Sequence, residues 1–348
     1  MKAAVVILNY NGRTHLETFL PSVVSHTPIW AEIIVADNGS NDDSLEFLKS
    51  AYPQIQTIKF AENHGFAEGY NLALKEIDAT YYVLLNSDVE VTPNWLDIIV
   101  TEMDANKRIA AAQPKIKSYN QRDHFEYAGA SGGFIDKYGY PFCRGRIFDN
   151  CERDISQHDD TREIFWATGA CMVVRADAYH KVEGLDKDFF AHMEEIDLCW
   201  RLKNQDYQIY CFPQSRVYHL GGGTLSAQRA HKTYLNFRNS LTLIVKNDYR
   251  KSFYKLVFTR MVLDGLAAGS MIFSRGISHS FAVLRAHLYF YSHLKTIRKK
   301  RRYWRGKKTQ FNQTGFYRES IVKEYYIGKK RVFGALPSRF FIRQDRTK

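Results

Sequence analysis

Residues 81–91 read Tyr81-Tyr82-Val83-Leu84-Leu85-Asn86-Ser87-Asp88-Val89-Glu90-Val91. An apolar, strand-forming run stops abruptly on Asn86-Ser87-Asp88. A buried strand that ends on a carboxylate delivers it to the carboxyl edge of a sheet, where open α/β sheets bind ligands. A polar turn, with Asp88 capping a helix from Pro93, is the plainer alternative for this stretch alone. Three upstream segments end the same way. Ala3–Leu8 is continuously apolar, as expected of a strand buried on both faces, and leads into Asn9-Tyr10-Asn11-Gly12. Ile33–Ala36 ends on Asp37-Asn38-Gly39-Ser40, and Ile55–Phe60 leads to Glu62-Asn63-His64-Gly65.

Helical stretches fill the gaps: after Gly12 to about Ser25 with a kink or break at Pro21, from near Asp43, from about Phe66 to Glu76, and from Pro93 to about Ala105. Strands returning roughly every 20 to 30 residues with helices between them predict an α/β doubly wound sheet. No GxGxxG follows the first strand and no GxxxxGK[ST] occurs, which argues against dinucleotide and P-loop folds.

Beyond Ile109–Gln113, a further expected strand, residues 116–165 mix glycines with aromatics and read as hairpins and loops covering a site. Thr168–Val174 reads as a strand entered through a glycine turn. Glu194-Glu195 stand just before a helix expected to begin at Asp197, where carboxylates suit the helix dipole. Tyr207–Phe212 and Arg216–Tyr218 read as two short strands, and His219 precedes Gly221-Gly222-Gly223.

The chain has 348 residues, 45% hydrophobic and 25% charged, enough for a sizeable core in one or two domains. Its net charge of +12 is uneven: Lys295–Lys308 carries nine Lys/Arg and no acid, which predicts a polyanionic partner. Upstream of that run, Ile277, Phe281, Leu284, Leu288 and Tyr291 share one helix face, against its own domain or on a membrane. Leu256–Phe273 contains Arg260 and Asp264 and so reads as a poor spanning helix. The five cysteines lack framework spacing, which predicts reduced thiols, and no signal-type leader is read at the N-terminus.

Diphosphate-leaving-group chemistry needs a divalent cation on oxygen ligands and a base for the incoming hydroxyl. Asp88 supplies the first carboxylate, and the Glu194-Glu195 pair is the candidate base. The sequence resembles the bacterial family 2 glycosyltransferases of the GT-A fold, in their rhamnosyltransferase-like branch. The resemblance is carried by Val5–Gly12, Val35–Ser40, Asn63–Asn71, Leu84–Asp88, Thr168–Ala170, Glu194–Arg201, Val217–Thr224 and Tyr234–Asn239. It implies a Rossmann-like, mixed but mostly parallel sheet flanked by helices over 1–230. A helical, basic extension over 231–348 is expected to associate with membrane.

The resemblance further implies that Tyr10 stacks on the nucleotide base and that Asp37 bonds the base or ribose. Asn63, Gly65 and Asn71 line the donor pocket. Asn86-Ser87-Asp88 stands at the DxD position, with Asp88 and His219 as metal ligands and Glu195, or else Glu194, as base. Asn86 replaces the usual first carboxylate, and Glu195 replaces the usual Asp. The expected reaction is inverting transfer from a nucleoside-diphosphate sugar to a lipid-linked glycan acceptor. It would need Mn2+ or Mg2+ and occur at the cytoplasmic face of an anionic membrane, with no nucleic acid partner. The alternative is a non-catalytic basic membrane- or nucleic-acid-binding protein on a transferase-like scaffold.

Overall fold

Alternation inside the first strand sets the architecture. In β1 (Ala3–Asn9), Ala4 and Val6 enter one hydrophobic core while Ala3, Val5 and Ile7 enter the other. A strand feeding two cores must be apolar at every position, which is why the run has no polar alternation. The computed structural model describes residues 2–221, 230–250 and 253–342.

The chain continues through α1 (Arg13–His26), β2 (Ala31–Asp37), α2 (Ser44–Ala51), β3 (Gln56–Lys59), α3 (Gly65–Lys75) and β4 (Tyr81–Asn86). Strands β3, β2, β1 and β4 are mutually parallel in that order. Pro21 lies inside α1 without ending it. Pro21 and Glu17, one turn earlier, are both exposed, so the carbonyl freed by proline faces water.

Next come β5 (Val89–Val91), α4 (Asp97–Ala105), β6 (Ile109–Ser118), β7 (Gly133–Asp136), β8 (Pro141–Cys143), β9 (Arg146–Ile147), β10 (Asn150–Cys151) and β11 (Arg162–Glu163). After them lie β12 (Cys171–Arg175), α5 (Ala176–Lys181), α6 (Glu194–Lys203) and β13 (Gln208–His219). The chain closes with α7 (Ala230–Asn247), α8 (Phe253–Ser274), α9 (Ile277–Lys307), β14 (Phe316–Tyr317) and α10 (Ile321–Tyr326).

The large sheet runs β11-β13-β6-β12-β4-β1-β2-β3, with β5 on β13. It is mixed α/β, as expected: β12 is antiparallel to both β4 and β6, while β13 is parallel to β6. The glycine-rich 116–165 region is more ordered than a set of loops. Much of it forms a second sheet, β10-β9-β8-β7-β14, closed by a strand from the C-terminal part.

Two boundaries differ from expectation. The two short strands around 207–218 are one strand, β13, with register shifts where Phe212 gives way to Arg216. Helix α6 begins at Glu194, not Asp197. Met193 adopts φ +72, and Asp197 N donates to Met193 O at 2.9 Å, so both glutamates sit in the first helical turn.

Helix α7 braces the segment before α6. Arg238 Nη2 donates to Asp188 O at 3.0 Å and Phe189 O at 2.7 Å. Asn239 Nδ2 lies 3.0, 2.9 and 2.7 Å from the carbonyls of Phe189, Ala191 and His192. The braced segment holds Phe190, His192 and Met193 at φ +62, +70 and +72. Left-handed conformations in such side chains persist only where surroundings impose them.

The basic run is partly internal. Lys300 Nζ pairs with Asp186 and Asp188, each at 2.6 Å, Arg301 Nη1 donates to Val245 O at 2.8 Å, and Trp304 is buried. Arg260 and Asp264 of α8 are also buried: Arg260 donates to Tyr138 O and Ser240 Oγ, each at 2.9 Å, and Tyr140 OH donates to Asp264 at 3.2 Å. The charges that make α8 a poor spanning helix therefore point into the protein.

Asn239→Ala leaves carbonyls of the 189–192 segment without their donor. We expect a loss of about 2 kcal/mol in stability, the scale for stranding buried polar groups, and faster amide exchange over 189–196. Unchanged melting and exchange would show that Arg238 alone holds the segment.

Candidate active site

The carboxyl ends of β1, β2 and β4 are lined by polar groups that organise one another. Asp37 is fully buried: Oδ1 accepts from Asn9 Nδ2 at 3.2 Å and Oδ2 from Ser40 N at 3.0 Å. Asn63 Oδ1 accepts from Asn38 Nδ2 at 3.0 Å and from Gly65 N at 2.8 Å, shaping the entry to α3. Gly65 adopts φ +75, and a Cβ there would lie 2.6 Å from the Phe190 ring, so only glycine permits this approach. Asn71 is occupied within the protein: its amide reaches Leu185 O at 2.8 Å, and its oxygen accepts from Tyr179 OH at 2.7 Å and Leu185 N at 2.9 Å. Asp37, Asn63 and Asn71 thus shape the loops. Tyr10, 41% exposed at the end of β1, presents an open ring.

Asp88 follows β4 directly. Because β5 pairs antiparallel with β13, with His219 opposite Val89, the imidazole is carried to Asp88. His219 Nε2 lies 3.1 Å from Asp88 Oδ1. On its other side, His219 Nδ1 lies 3.1 Å from Glu126 Oε2. Burial lowers the His219 pKa, but Asp88 and Glu126 outweigh it and push it up to about 10. Burial likewise opposes ionisation of Asp88, yet His219 and His15 hold its carboxyl below the usual range. Asp88 is not the lightly packed edge residue that a strand end suggests; it is 6% exposed and paired. Glu126 was not singled out by the sequence reading. It lies in the glycine-rich region, and only the fold brings it to His219. Gly222, Gly223 and Thr224 of the following stretch lie outside the described residues.

The two glutamates stand in a different environment. Glu194 is buried and Glu195 half-buried, and each has an enclosed oxygen, Oε2, without a hydrogen-bond partner. Burial pushes the Glu195 carboxyl up to about 7. Burial and the neighbouring Glu195 charge raise Glu194 well above the usual range. In contrast, Asp197, one residue beyond the adjoining Ile196, is ion-paired to Arg201 and Lys246 at 2.8 and 2.9 Å.

Short contacts connect these groups. Asn86 N donates to Ala170 O at 3.0 Å, and a Cβ on the adjoining Gly169 would lie 3.8 Å from Glu195 Cβ. Phe66 N donates to Phe190 O at 2.9 Å, joining the start of α3 to the segment before the glutamates. The β3–α3 loop, the end of β4 and the start of α6 therefore border one region. The brace from Asn239 was also missed as a site feature. Its signal was the Arg238-Asn239 pair, which was noted without a role.

The glycosyl transferase family 2 profile matches residues 4–182. Among relatives, the chain is 26% identical over 233 residues to the N-acetylglucosaminyl-diphospho-decaprenol L-rhamnosyltransferase of Mycobacterium tuberculosis, covering 62% of this chain and 75% of that protein. In fold it resembles GalNAc-T7, solved with UDP, GalNAc and Mn2+, at a TM-score of 0.55 and 16% identity; the match covers 73% of this chain and 50% of that one. It also resembles the mannosyltransferase PcManGT of Pyrobaculum calidifontis, solved with GDP-Man and Mn2+, at a TM-score of 0.52 and 13% identity, over 87% of this chain and 84% of that one. These neighbours share the GT-A fold. The matched span runs from Ala4 in β1 to Val182 just past α5, includes Asn86-Ser87-Asp88, and covers half the sequence: the chain belongs to glycosyl transferase family 2.

Proposed function

We propose that this glycosyltransferase moves a sugar, with inversion, from a nucleoside-diphosphate donor to a hydroxyl of a lipid-linked glycan. Bacterial cell-surface polysaccharide synthesis at the cytoplasmic face of the membrane is the setting this reading favours. The observation that carries it is that two unlike acidic centres, one at the end of β4 and one at the start of α6, border one region. Asp88 is kept ionised beside His219, while Glu195 is raised toward neutral pH and left without a cation. Pairs of titratable groups driven apart by environment mark acid–base assignments.

In this reading Tyr10 stacks on the nucleotide base. Asp37, Asn63, Gly65 and Asn71 fix the loops around the base and ribose, and Asn86 faces the diphosphate. The acceptor hydroxyl approaches C1 opposite the leaving group and gives its proton to Glu195. The new C1–O bond forms as the bond to the diphosphate breaks. Glu195 is favoured over Glu194 because it is the more accessible of the two.

The ligand chemistry at Asp88 fits a divalent cation. One imidazole faces two carboxylates, so the pocket already favours positive charge. Among the described residues no group of three or more metal-ligating side chains gathers at one point. Mn2+ or Mg2+ would be held by Asp88 with donor phosphate oxygens, and by His219 only once its imidazole gives up the proton that faces Asp88. Such a cation supplies neutralisation of the departing diphosphate. The relatives support this reading through what they bind: an N-acetylglucosaminyl-diphospho-decaprenol acceptor in one, UDP or GDP-Man with Mn2+ in the others.

Thermal-shift screening of nucleotide sugars, with and without Mn2+ or Mg2+, tests the donor class. A true donor at about a hundredfold excess over its Kd should add about 2.7 kcal/mol to stability. No shift with any nucleotide or metal would refute the reading. Asp88→Asn should abolish the metal-dependent part of that shift and lower transfer by about a hundredfold or more, the scale for a lost charge-stabilising group. Full metal response in the variant would remove Asp88 from the site.

Glu195→Gln should retain donor binding and lose about a hundredfold to ten-thousandfold in rate. Glu195 must be ionised to accept a proton, so turnover should rise with pH through about 7 and flatten above it. The Glu194 carboxyl has a raised folded pKa, so the stability it contributes is complete below its unfolded value and lost as pH rises through the folded one. Glu194→Gln should therefore raise the melting temperature at pH 8 but not at pH 4. A pH profile without that limb, or damage confined to Glu194→Gln, would overturn the assignment.

A further inference from the structure

We infer that α8 and α9 form a hairpin wedge that seats in one leaflet of an anionic bilayer, its apolar turn end in the acyl boundary and its basic end among headgroups. The helices are antiparallel: Ser280 Oγ donates to Ala268 O at 2.7 Å near the turn, and Arg301 lies 4.3 Å from the Phe253 ring at the far end.

The outer stripe of α9 runs Ile277, Phe281, Leu284, Leu288, Tyr291, then Lys295, Arg298, Arg302. Alternating steps of four and three residues keep it on one face along the helix. The five apolar members are each more than half exposed, and the three basic ones are exposed with no ion pair among the described residues. The stripe is thus apolar for about 21 Å and basic for the next 10 Å or so, at 1.5 Å per residue. Lys299 and Lys308 are also exposed near the basic end.

Helix α8 widens the apolar half. Val262, Leu266 and Phe273 are about half exposed or more and flank the apolar part of α9, while the exposed Tyr254 and Phe258 lie beside its basic end. Its 22 residues are long and apolar enough to cross a membrane by length and composition. Spanning does not fit, because the opposite face carries buried Arg260 and Asp264, bonded into residues 138–140 and α7. The buried residues of α8, Leu256, Arg260 and Asp264, form one narrow stripe on the protein, and the rest of the helix is open, which suits a helix lying in an interface rather than one crossing it. At the turn, Arg275 pairs with Asp149 at 3.1 Å, so one cation there is compensated.

Bare electrostatic attachment through the basic run is the weaker account. Lys300, Arg301 and Lys307 are engaged within the protein. An apolar face of this size beside unpaired cations matches a surface with acyl chains under anionic headgroups. Parallel pairing with a second copy through this face would bring like charges together, and antiparallel pairing would set each basic end against the partner's apolar end.

The inference deepens, and for its purpose rests on, the proposed lipid-linked acceptor. Flotation measures attachment without turnover, so the two can fail separately. The full chain should float with vesicles of phosphatidylcholine and phosphatidylglycerol. A fraction should remain bound at high salt, because insertion, unlike charge attraction, is not screened. Phe281→Glu with Leu284→Glu should weaken binding by about tenfold or more at unchanged melting temperature, since these side chains contribute to the lipid contact but not the core. Lys295→Glu with Lys299→Glu and Arg302→Glu should remove the preference for anionic over neutral vesicles. The inference is overturned if the folded parent does not float, or if the apolar double variant floats like the parent. It is equally overturned if sedimentation shows a dimer that the double variant dissolves while vesicle binding is absent.

Discussion

The carboxylate of Asp197 is fully enclosed at the start of α6, and much of the structure around it exists to keep its charge paired. Arg201, one turn on, approaches to 2.8 Å, Lys246 of α7 to 2.9 Å, and Asn247 Nδ2 donates at 2.7 Å. Burial opposes ionisation, and Arg201 and Lys246 outweigh it. Removing one partner from such a buried pair costs about 3–5 kcal/mol, because the remaining charge is stranded. Lys246 also reaches Asp186, which accepts Lys300 of α9 as well. One buried charge therefore locks α6 to α7, and the next links α7 to α9.

The same helical turn carries carboxylates with opposite fates. Asp197 is saturated by cations and remains ionised. Glu194 and Glu195 face the helix N-terminus, where a carboxylate is ordinarily stabilised, yet burial without a cation raises both. A paired carboxylate holds a helix; an unpaired, raised one is poised to exchange a proton near neutral pH. The fold thus sets one paired, ionised carboxylate and two unpaired, raised ones within four residues. The stability forgone at Glu194 and Glu195 is made tolerable by the network anchored on Asp197.

Strands β1 and β4 were readable because burial on both faces leaves an unbroken apolar run, and the chain turns polar where each emerges; β2 and the edge strand β3 are only partly apolar. That logic located Asn86 and Asp88, the local pattern flagged the glutamate pair, and the family resemblance flagged His219. It stopped where partners come from afar. Glu126 meets His219 only because of the fold. Helix α6 starts at Glu194 because Met193 adopts a left-handed turn held in a braced segment, and no local propensity encodes that. Arg260 and Asp264 in one dimension show only that α8 is a poor spanning helix. In three dimensions they satisfy Tyr138, Ser240 and Tyr140, and leave the other face apolar.

These long-range contacts converge on the segment before α6. Phe190, His192 and Met193 are held in left-handed conformations that relax without support. Arg238 and Asn239 hold the carbonyls from one side, and Lys300 holds Asp186 and Asp188 from α9. Lys300 lies between Lys299 and Arg302, on the helix that carries the exposed stripe. A leaflet bound through that stripe sits at a fixed relation to Asp186 and Asp188, and through the braced segment to Glu195. An acceptor hydroxyl close to its lipid anchor must meet the base within a few ångströms to react. If Glu195 is the base and the stripe the lipid contact, as proposed, a rigid helix shared by both meets that requirement, which a flexible tether of basic residues does not.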